Sequence, residues 1–422
     1  MKLVGRSIGT IVVVFIYWLV YYFTLPTLSL AYFDGFMYIG FGVIIAVALI
    51  VWWVYAFTYE EKVFIVPVTV AGIFVLITVV CAITCMDLFH SKELYNQIGT
   101  IDQKAFKEDV VEIDTSQIPI VDIDLADKLA DKKLGDEVAL GSKVEVGKFT
   151  NKQQVNGKLV YVAPLNHRSF FKWKANKSGT PGYVVVSATN MNDVKLVKEI
   201  NGKKLKIKYS ESAFFSDNLK RNIRNKGFRN VGLTEYSFEL DDDGNPYWVV
   251  TTYKNTTLWS NKEATGVIIC NPETGECEWY SINDVPKWVD IVQPESFIKE
   301  QIKNYGEYVH GVFNFSDEDK LSLTEHMTTV YNNGECYYYT GMSSVGKDNG
   351  TVGFIMINTR DKSTTFYKMV GATEEAAMSS AEGKVQNMGY TATEPIPLNV
   401  SGIPTYFCTL KDNEGLVKQY AL

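Results

Sequence analysis

The pattern of apolar and polar positions divides the chain into two unlike parts. Three long apolar runs without an internal charge open it, at about Ile8–Ala31, Gly35–Thr58 and Val63–Met86. Each is close to the ~20 residues that cross ~30 Å of hydrocarbon as a helix. A cleaved signal peptide is the alternative for the first run, ending near Ala31. The length of that run and the two that follow favour three transmembrane helices in segment 1–90.

Behind the apolar part, short helical patterns alternate with groups of short alternating strands, which predicts an α+β fold. Helices are expected at Leu125–Lys132, Phe214–Lys226, Ser296–Tyr308 and Thr373–Asn387. From 211 onward each predicted helix precedes three or four antiparallel strands. The predicted divisions are a juxtamembrane linker at 91–117, a basic α+β domain at 118–210, and helix-plus-meander modules at 211–290, 291–370 and 371–422.

Turn residues support these hairpins. Asp243-Gly244-Asn245, Asn333-Gly334 and Ser401-Gly402 stand between strand-like runs, where tight hairpins favour such residues. The run Asp241–Asn245 is also rich in carboxylates, as calcium loops are. It lacks the spacing of an EF-hand, so we expect a solvated turn.

A helix followed by a meander with a strand–turn–strand element around Thr274-Gly275-Glu276 resembles the PepSY family of small extracytoplasmic modules. The run Gly-Ala-Thr-Glu-Glu-Ala-Ala-Met-Ser-Ser-Ala-Glu-Gly at 371–383, with Pro404-Thr-Tyr-Phe, is similar to a group of bacterial membrane-anchored proteins. The resemblance implies inhibitory or binding roles at the cell envelope, and it brings no catalytic residues to this sequence.

Loop charges predict the orientation of the anchor. Lys2 and Arg6 precede the first span, whereas the first loop, Pro26–Asp34, has no Lys or Arg. The positive-inside rule therefore places the N-terminus in the cytoplasm and residues from about 91 onward outside the cell. The expected localisation is a multi-pass protein of the cell membrane.

Charge is distributed unevenly behind the anchor. Residues 151–230 contain 17 Lys and Arg against 4 Asp and Glu, and residues 231–422 contain 13 against 27. The imbalance predicts a basic binding face. Its candidate residues are Arg168, Lys172, Lys174, Lys203, Lys204, Lys206, Lys208, Lys220, Arg221 and Arg224.

Three partners suit such a face. Anionic lipid head groups or wall polymers are one, and the acidic half of the chain itself is another. Single-stranded nucleic acid is the third, with Phe170, Phe171 and Trp173 as stacking partners. We favour an open face, because several of the lysines alternate along one strand-like run.

Cysteine spacing suggests one disulfide. Cys270 and Cys277 bracket a short turn, so hairpin pairing would bring them opposite each other. Two free thiols on a strand pair are the alternative. An oxidising compartment outside the membrane favours the disulfide.

The sequence offers little chemistry. The histidines, His90, His167, His310 and His326, show no metal-ligand spacing, and the common nucleophile and nucleotide-binding motifs are missing. We therefore expect no catalytic residue, metal or cofactor. The leading hypothesis is a non-enzymatic, membrane-anchored interaction or structural protein that binds the lipid bilayer and a protein or anionic envelope partner. A homo-oligomer is left open. The alternative is a membrane component of a conjugation, DNA-transfer or phage system that contacts nucleic acid through 167–229.

Overall fold

The computed structural model describes residues 2–112, 114, 117–149, 152–324, 326–345 and 350–422. Within these residues, three helices are long and apolar enough to cross a membrane, as predicted. They are α1 (Lys2–Thr24), α2 (Phe33–Thr58) and α3 (Ile65–Thr84). Helix α1 ends before the expected Ala31, because Pro26 disfavours a helical conformation at the residue that precedes it.

The other helices are interspersed among the strands. They are α4 (Ser91–Asn96), α5 (Phe106–Asp109), α6 (Ile123–Gly135), α7 (Val138–Gly141), α8 (Phe170–Ala175), α9 (Leu219–Asn225), α10 (Glu295–Glu307) and α11 (Glu374–Lys384). The strands of the N-terminal half are β1 (Ile101–Gln103), β2 (Val144–Val146), β3 (Lys152–Val155), β4 (Lys158–His167), β5 (Tyr183–Ser187), β6 (Val194–Val197), β7 (Glu199–Ile200), β8 (Lys203–Lys204), β9 (Gly232–Leu240) and β10 (Pro246–Thr257). The C-terminal strands are β11 (Ser260–Cys270), β12 (Cys277–Ser281), β13 (Leu321–Leu323), β14 (Thr328–Asn332), β15 (Glu335–Ser344), β16 (Gly350–Asn358), β17 (Thr364–Ala372), β18 (Thr391–Ala392), β19 (Ile396–Val400), β20 (Ile403–Lys411) and β21 (Val417–Ala421).

The fold is α+β, with the strands grouped in separate sheets. One sheet has the order β2-β4-β5-β6 with β3 on β4, and the next has the order β12-β11-β10-β9. A third has the order β1-β17-β16-β15-β13 with β14 on β15, and a fourth has the order β18-β20-β19 with β21 on β20. Strand β1 runs parallel to β17, whereas β15, β16 and β17 pair antiparallel, as do β19 with β20 and β4 with β5.

The expected tight turns are present. Asn333 and Gly334 both have positive φ and join β14 to β15, and Ser401 and Gly402 do the same between β19 and β20. At the acidic run, the carboxylate of Asp241 accepts hydrogen bonds from backbone N–H groups of Asp243 and Asn245. The acidic run therefore forms a local turn that its own carboxylate closes.

Helices cover sheet faces by their apolar stripes. Leu125, Ala126, Ala130 and Leu134 lie on one side of α6 and pack on β4 and β5 in a fully buried cluster. The side chain of Asp122 caps this helix by accepting a hydrogen bond from the N–H of Leu125. Helix α10 is placed similarly on the sheet of β13–β17, which gives that segment the expected helix-on-sheet arrangement.

The chain separates into two compact units that do not follow the sequence linearly. The anchor unit contains residues 2–90 together with Lys220–Leu233 and Tyr253–Glu263. The sheet unit contains Ser91–Leu219, Thr234–Thr252 and Ala264–Leu422. The anchor unit therefore includes more than the segment 1–90 named from the sequence.

Inside the anchor unit, the loop between α1 and α2 holds the two added segments. Its backbone N–H at Leu28 donates to the carbonyl of Arg229 at 2.7 Å. Carbonyls of the same loop accept hydrogen bonds from Asn255 and from the indole of Trp259. Tyr32 donates its hydroxyl to the carbonyl of Tyr253. The polar loop, rather than the apolar helix faces, supplies these directional contacts.

Candidate basic cleft

Part of the predicted basic face lies around an open cleft of about 1270 Å³ in the sheet unit. Lysines from four different stretches of the chain line it: Lys143, Lys172, Lys195, Lys198, Lys204 and Lys206. Two of them have carboxylate partners, Lys195 with Asp193 and Lys198 with Glu137, both at 3.0 Å. Among the described residues, Lys172, Lys204 and Lys206 have no carboxylate within ion-pair distance. Glu199, opposite Lys204 in the ladder of β7 and β8, is the acidic residue of the described lining.

Helix α8 positions Lys172. The helix begins after Ser169, whose hydroxyl accepts a hydrogen bond from the N–H of Lys172 at 3.4 Å. Trp173 is the buried residue of this short helix, and its indole donates to the carboxylate of Asp217 at 3.1 Å. With Trp173 held inward, the flanking Lys172 and Lys174 are exposed.

The segment 203–208 positions Lys204 and Lys206. The sequence predicts a strand-like run for these alternating lysines, but the regular ladder covers only Lys203 and Lys204, with an isolated bridge at Ile207. The alternation expected of a strand is nevertheless present, because Leu205 and Ile207 are buried whereas Lys204 and Lys206 are exposed. Two lysines therefore point away from the core on the same side.

Lys203 and Lys208 are placed less openly. Lys203 forms an ion pair with Glu273 at 2.8 Å, and the backbone N–H of Lys206 donates to the other oxygen of that carboxylate. Lys208 lies 3.8 Å from Asp217 and over the ring of Tyr209. Glu273 therefore provides one contact between the basic segment and the acidic half of the chain.

Three members of the predicted face lie in the anchor unit and do not line the cleft. Helix α9 begins at Leu219, five residues later than the expected Phe214. Its Lys220 and Arg221 donate to the carbonyls of Thr24 and Tyr22 at the end of α1. Arg224 is only 2% exposed, so an open position for this residue is wrong.

The guanidinium of Arg224 is tied to the interior of the anchor unit. It donates to the carbonyls of Phe228 and Val231 at 2.7 Å and to the hydroxyl of Thr27 at 3.0 Å. These acceptors surround a charge that is removed from water, where an unsatisfied cation would be costly. Its role is structural, and its positive charge does not contribute to a binding surface.

An aromatic cluster lies beside α8. The rings of Phe170, Trp173, Phe214 and Phe215 are within 6.1 Å of one another in successive pairs. Phe214 and Phe215 belong to the helix predicted at Phe214–Lys226, but they precede α9 and pack in this aromatic cluster instead. Phe171 is 76% exposed at the edge of this cluster.

His167 lines the cleft without acting as a cation. Burial lowers the pKa of its imidazole, and the nearby carboxylate of Asp217 opposes that shift. The ring is therefore neutral at physiological pH. Within the described part of the chain, no group of three His, Cys, Asp or Glu side chains is arranged to hold a metal ion.

The predicted disulfide is confirmed. Cys270 and Cys277 are directly opposed in the ladder of β11 and β12, with a Cα–Cα distance of 4.1 Å, and their sulfur atoms are bonded. The turn between them closes with the side chain of Asn271, which accepts backbone hydrogen bonds from Glu273 and Thr274. The bond clamps the hairpin whose turn also carries Glu273, the partner of Lys203.

Comparisons with known proteins leave the family open. No family model matches the chain, and no curated protein matches it. A search of solved structures finds an ACO/RPE65 chimera at 7% identity and a TM-score of 0.15, over 64% of this chain. The match spans 45% of the length of that chimera. A likeness this weak carries no argument about fold or function.

Proposed function

We propose that this chain is a membrane-anchored, non-enzymatic interaction protein whose sheet unit lies outside the cytoplasm and binds an anionic polymer of the cell envelope. The basic cleft is the observation that carries the proposal. Its exposed lysines come from separate elements and converge on one concave surface. A concave surface suits an extended chain, whereas a flat bilayer would contact the rim.

The lining of the cleft favours repeated charge as the recognised feature. Among the described residues that line it there is no Phe, Tyr or Trp ring. Binding of single-stranded nucleic acid relies on aromatic stacking in addition to phosphate contacts. Regularly spaced phosphates or carboxylates need only the lysines, which act as flexible point charges.

Binding of poly(glycerol phosphate) by the full chain in lipid nanodiscs tests the proposal. The variant Lys172→Gln, Lys204→Gln, Lys206→Gln is expected to bind about a hundredfold more weakly at low salt, because each lysine near a charged surface contributes on the order of 1 kcal/mol. Affinity of the unaltered chain should fall as salt is raised, since exposed charges are screened within ~10 Å at 0.1 M.

A matched control separates the cleft from net charge. Lys158, Lys303 and Lys384 are exposed and do not line the cleft, so their replacement by Gln removes the same charge elsewhere. Equal weakening in both triple variants would show that only net charge matters and would contradict the proposal.

Single-stranded DNA is the second candidate, and exposed Phe171 is the observation that favours it. Oligothymidine binding that depends on both Phe171 and Lys172 would support it. DNA binding tighter than polymer binding, with loss in Phe171→Ala, would replace the envelope polymer by nucleic acid as the partner.

Sidedness is tested separately. If the sheet unit is outside the cytoplasm, a cysteine placed at exposed Lys303 should react with a membrane-impermeant reagent in intact cells. Background labelling should be low, because the described free cysteines of the sheet unit, Cys336 and Cys408, are buried. Labelling that appears only after lysis would place the sheet unit in the cytoplasm.

A further inference from the structure

A second cavity, unrelated to the cleft, lies within the sheet unit. Its volume is about 210 Å³. Its apolar wall comes from loops and strands far apart in the chain: Phe106, Val330, Tyr339, Phe354, Met356 and Ile396. An engineered apolar cavity of about 150 Å³ suffices to hold benzene, so this one has room for a small organic molecule.

One cation lines this apolar space. Lys152, the first residue of β3, is 9% exposed, and its ammonium donates one hydrogen bond to the carbonyl of Thr329 at 3.3 Å. Among the described residues no carboxylate lies within ion-pair distance of it. Lysine is almost never buried without a partner, and an ammonium has three protons to donate.

The buried carboxylate of Asp290 has hydrogen-bond donors other than Lys152. Asp290 accepts hydrogen bonds from the backbone N–H of Gln154 at 2.7 Å and from the hydroxyl of Tyr331 at 3.0 Å. Glu112 and Asp114 also line the cavity, but both are exposed to solvent. Among the described residues that line the cavity, Lys152 is the one cation, and the wall combines apolar residues with polar ones such as Gln154, Asn332 and Asn399.

We propose that this cavity binds a small amphipathic monocarboxylate, with the carboxylate on the Lys152 ammonium and the hydrocarbon against Phe354, Met356 and Ile396. The charge requires an anion, and the apolar wall selects an aliphatic or aromatic tail over a sugar or a second charge. The lowered pKa of Lys152, about 8 because of burial, still leaves the ammonium protonated at neutral pH. A bound carboxylate would stabilise that protonated form.

Three probes of equal length test this on the full chain in lipid nanodiscs: hexanoate, hexan-1-ol and hexylamine. Binding is followed by NMR titration, with empty nanodiscs subtracted. Hexanoate should bind saturably and about tenfold or more tightly than the alcohol, because a charge-assisted hydrogen bond replaces a neutral one. Hexylamine should bind most weakly.

Variants locate the binding. Lys152→Met keeps the volume and removes the charge, so it should lose the preference for hexanoate and bind hexan-1-ol at least as tightly. Met356→Trp fills the cavity and should abolish binding of both. Lys158→Met, at an exposed position of the same hairpin, should leave binding unchanged, and Lys152→Arg should retain a preference for hexanoate.

Several results would overturn the proposal. One is the failure of hexanoate to bind the unaltered chain saturably, and another is equally tight binding of hexanoate to Lys152→Met. Hexanoate binding that survives in folded Met356→Trp, as checked by circular dichroism, would place the ligand elsewhere. Each outcome is independent of polymer binding, so the two proposals fail separately.

Discussion

The basic residues of the cleft and of helix α9 come from one basic segment of the sequence, but the fold exposes the cleft lysines and buries Arg224 of α9. Lys172, Lys204 and Lys206 are exposed around a cleft, and none of them forms an ion pair with a carboxylate in the described part of the chain. Arg224 is buried in the anchor unit, with backbone carbonyls and a hydroxyl as acceptors. A count of charges along the chain therefore overstates the surface that a partner can meet. Lys152 is a third case, buried with a single hydrogen bond.

The largest effect is expected from Arg224→Met. Its loss leaves two carbonyls and a hydroxyl without their shared donor, which we expect to destabilise the segment by roughly 3 kcal/mol or more. Hydrogen exchange of amides in 220–233 measures this local opening free energy. Lys226→Met, exposed one residue beyond α9, is the control and should change it by less than about 0.5 kcal/mol. Similar values for both variants would erase the distinction between α9 and the cleft.

Lys152→Met should have the opposite sign. The pKa of Lys152 is lowered from 10.5 to about 8 by burial. Because the pKa of this lysine is lower in the folded state than in the unfolded state, its protonation opposes folding. This cost is full below the folded pKa and disappears as pH rises through the unfolded pKa. The charged lysine thus costs up to about 3 kcal/mol at neutral pH. The variant should be more stable at pH 7 by up to that amount, with the difference shrinking between about pH 8 and 10.5.

Denaturant unfolding of the sheet unit across that pH range checks this expectation. The difference in unfolding free energy between the variant and the unaltered chain cancels the contributions of the other titrating groups. A difference in unfolding free energy that is independent of pH would show that burial does not lower the pKa of Lys152.

Loss of the disulfide is expected to have an intermediate effect on the free energy of unfolding. Replacing Cys270 and Cys277 together by Ser removes the constraint on a short loop, for which the chain-entropy model gives about 2–3 kcal/mol. Denaturant unfolding should show that loss while the fold persists. Treating the unaltered chain with a reductant should reproduce it, and no change in either experiment would make the bond dispensable.

The smallest effect is expected from Lys203→Gln. Its ion pair with Glu273 has a lysine side chain that is 76% exposed, so it should contribute less than about 0.5 kcal/mol. Unfolding measurements at low and high salt should scarcely differ from those of the unaltered chain. A loss above 1 kcal/mol would indicate that the basic segment is anchored to the acidic half after all.

Local patterns were enough to predict much of the architecture. Long uncharged runs predicted the three spans, the apolar spacing predicted α10 to within one residue and α11 to within three, and Asn333-Gly334 marked its hairpin. The disulfide followed from its turn. These features are set by residues close together in sequence.

What was missed depends on contacts between distant residues. Strand β3 is polar and was not expected, although Asn156-Gly157 behind it has the positive φ angles of a tight hairpin turn. Lys143, Lys195 and Lys198 join the cleft only through the folding of separate strands. Nothing in the neighbours of Lys152 or Arg224 along the chain indicates burial, which arises from segments elsewhere.

The parallel pairing of β1 with β17 has a consequence for biosynthesis. Ile101 lies opposite Thr364, so the first strand made after the third membrane helix cannot pair until β17 has been synthesised. Contacts of such long range form late and slow folding. During translation the edge of β1 stays unpaired, open to the wrong neighbour. A soluble fragment that starts beyond Gln103 would lack β1 and leave the edge of β17 unpaired.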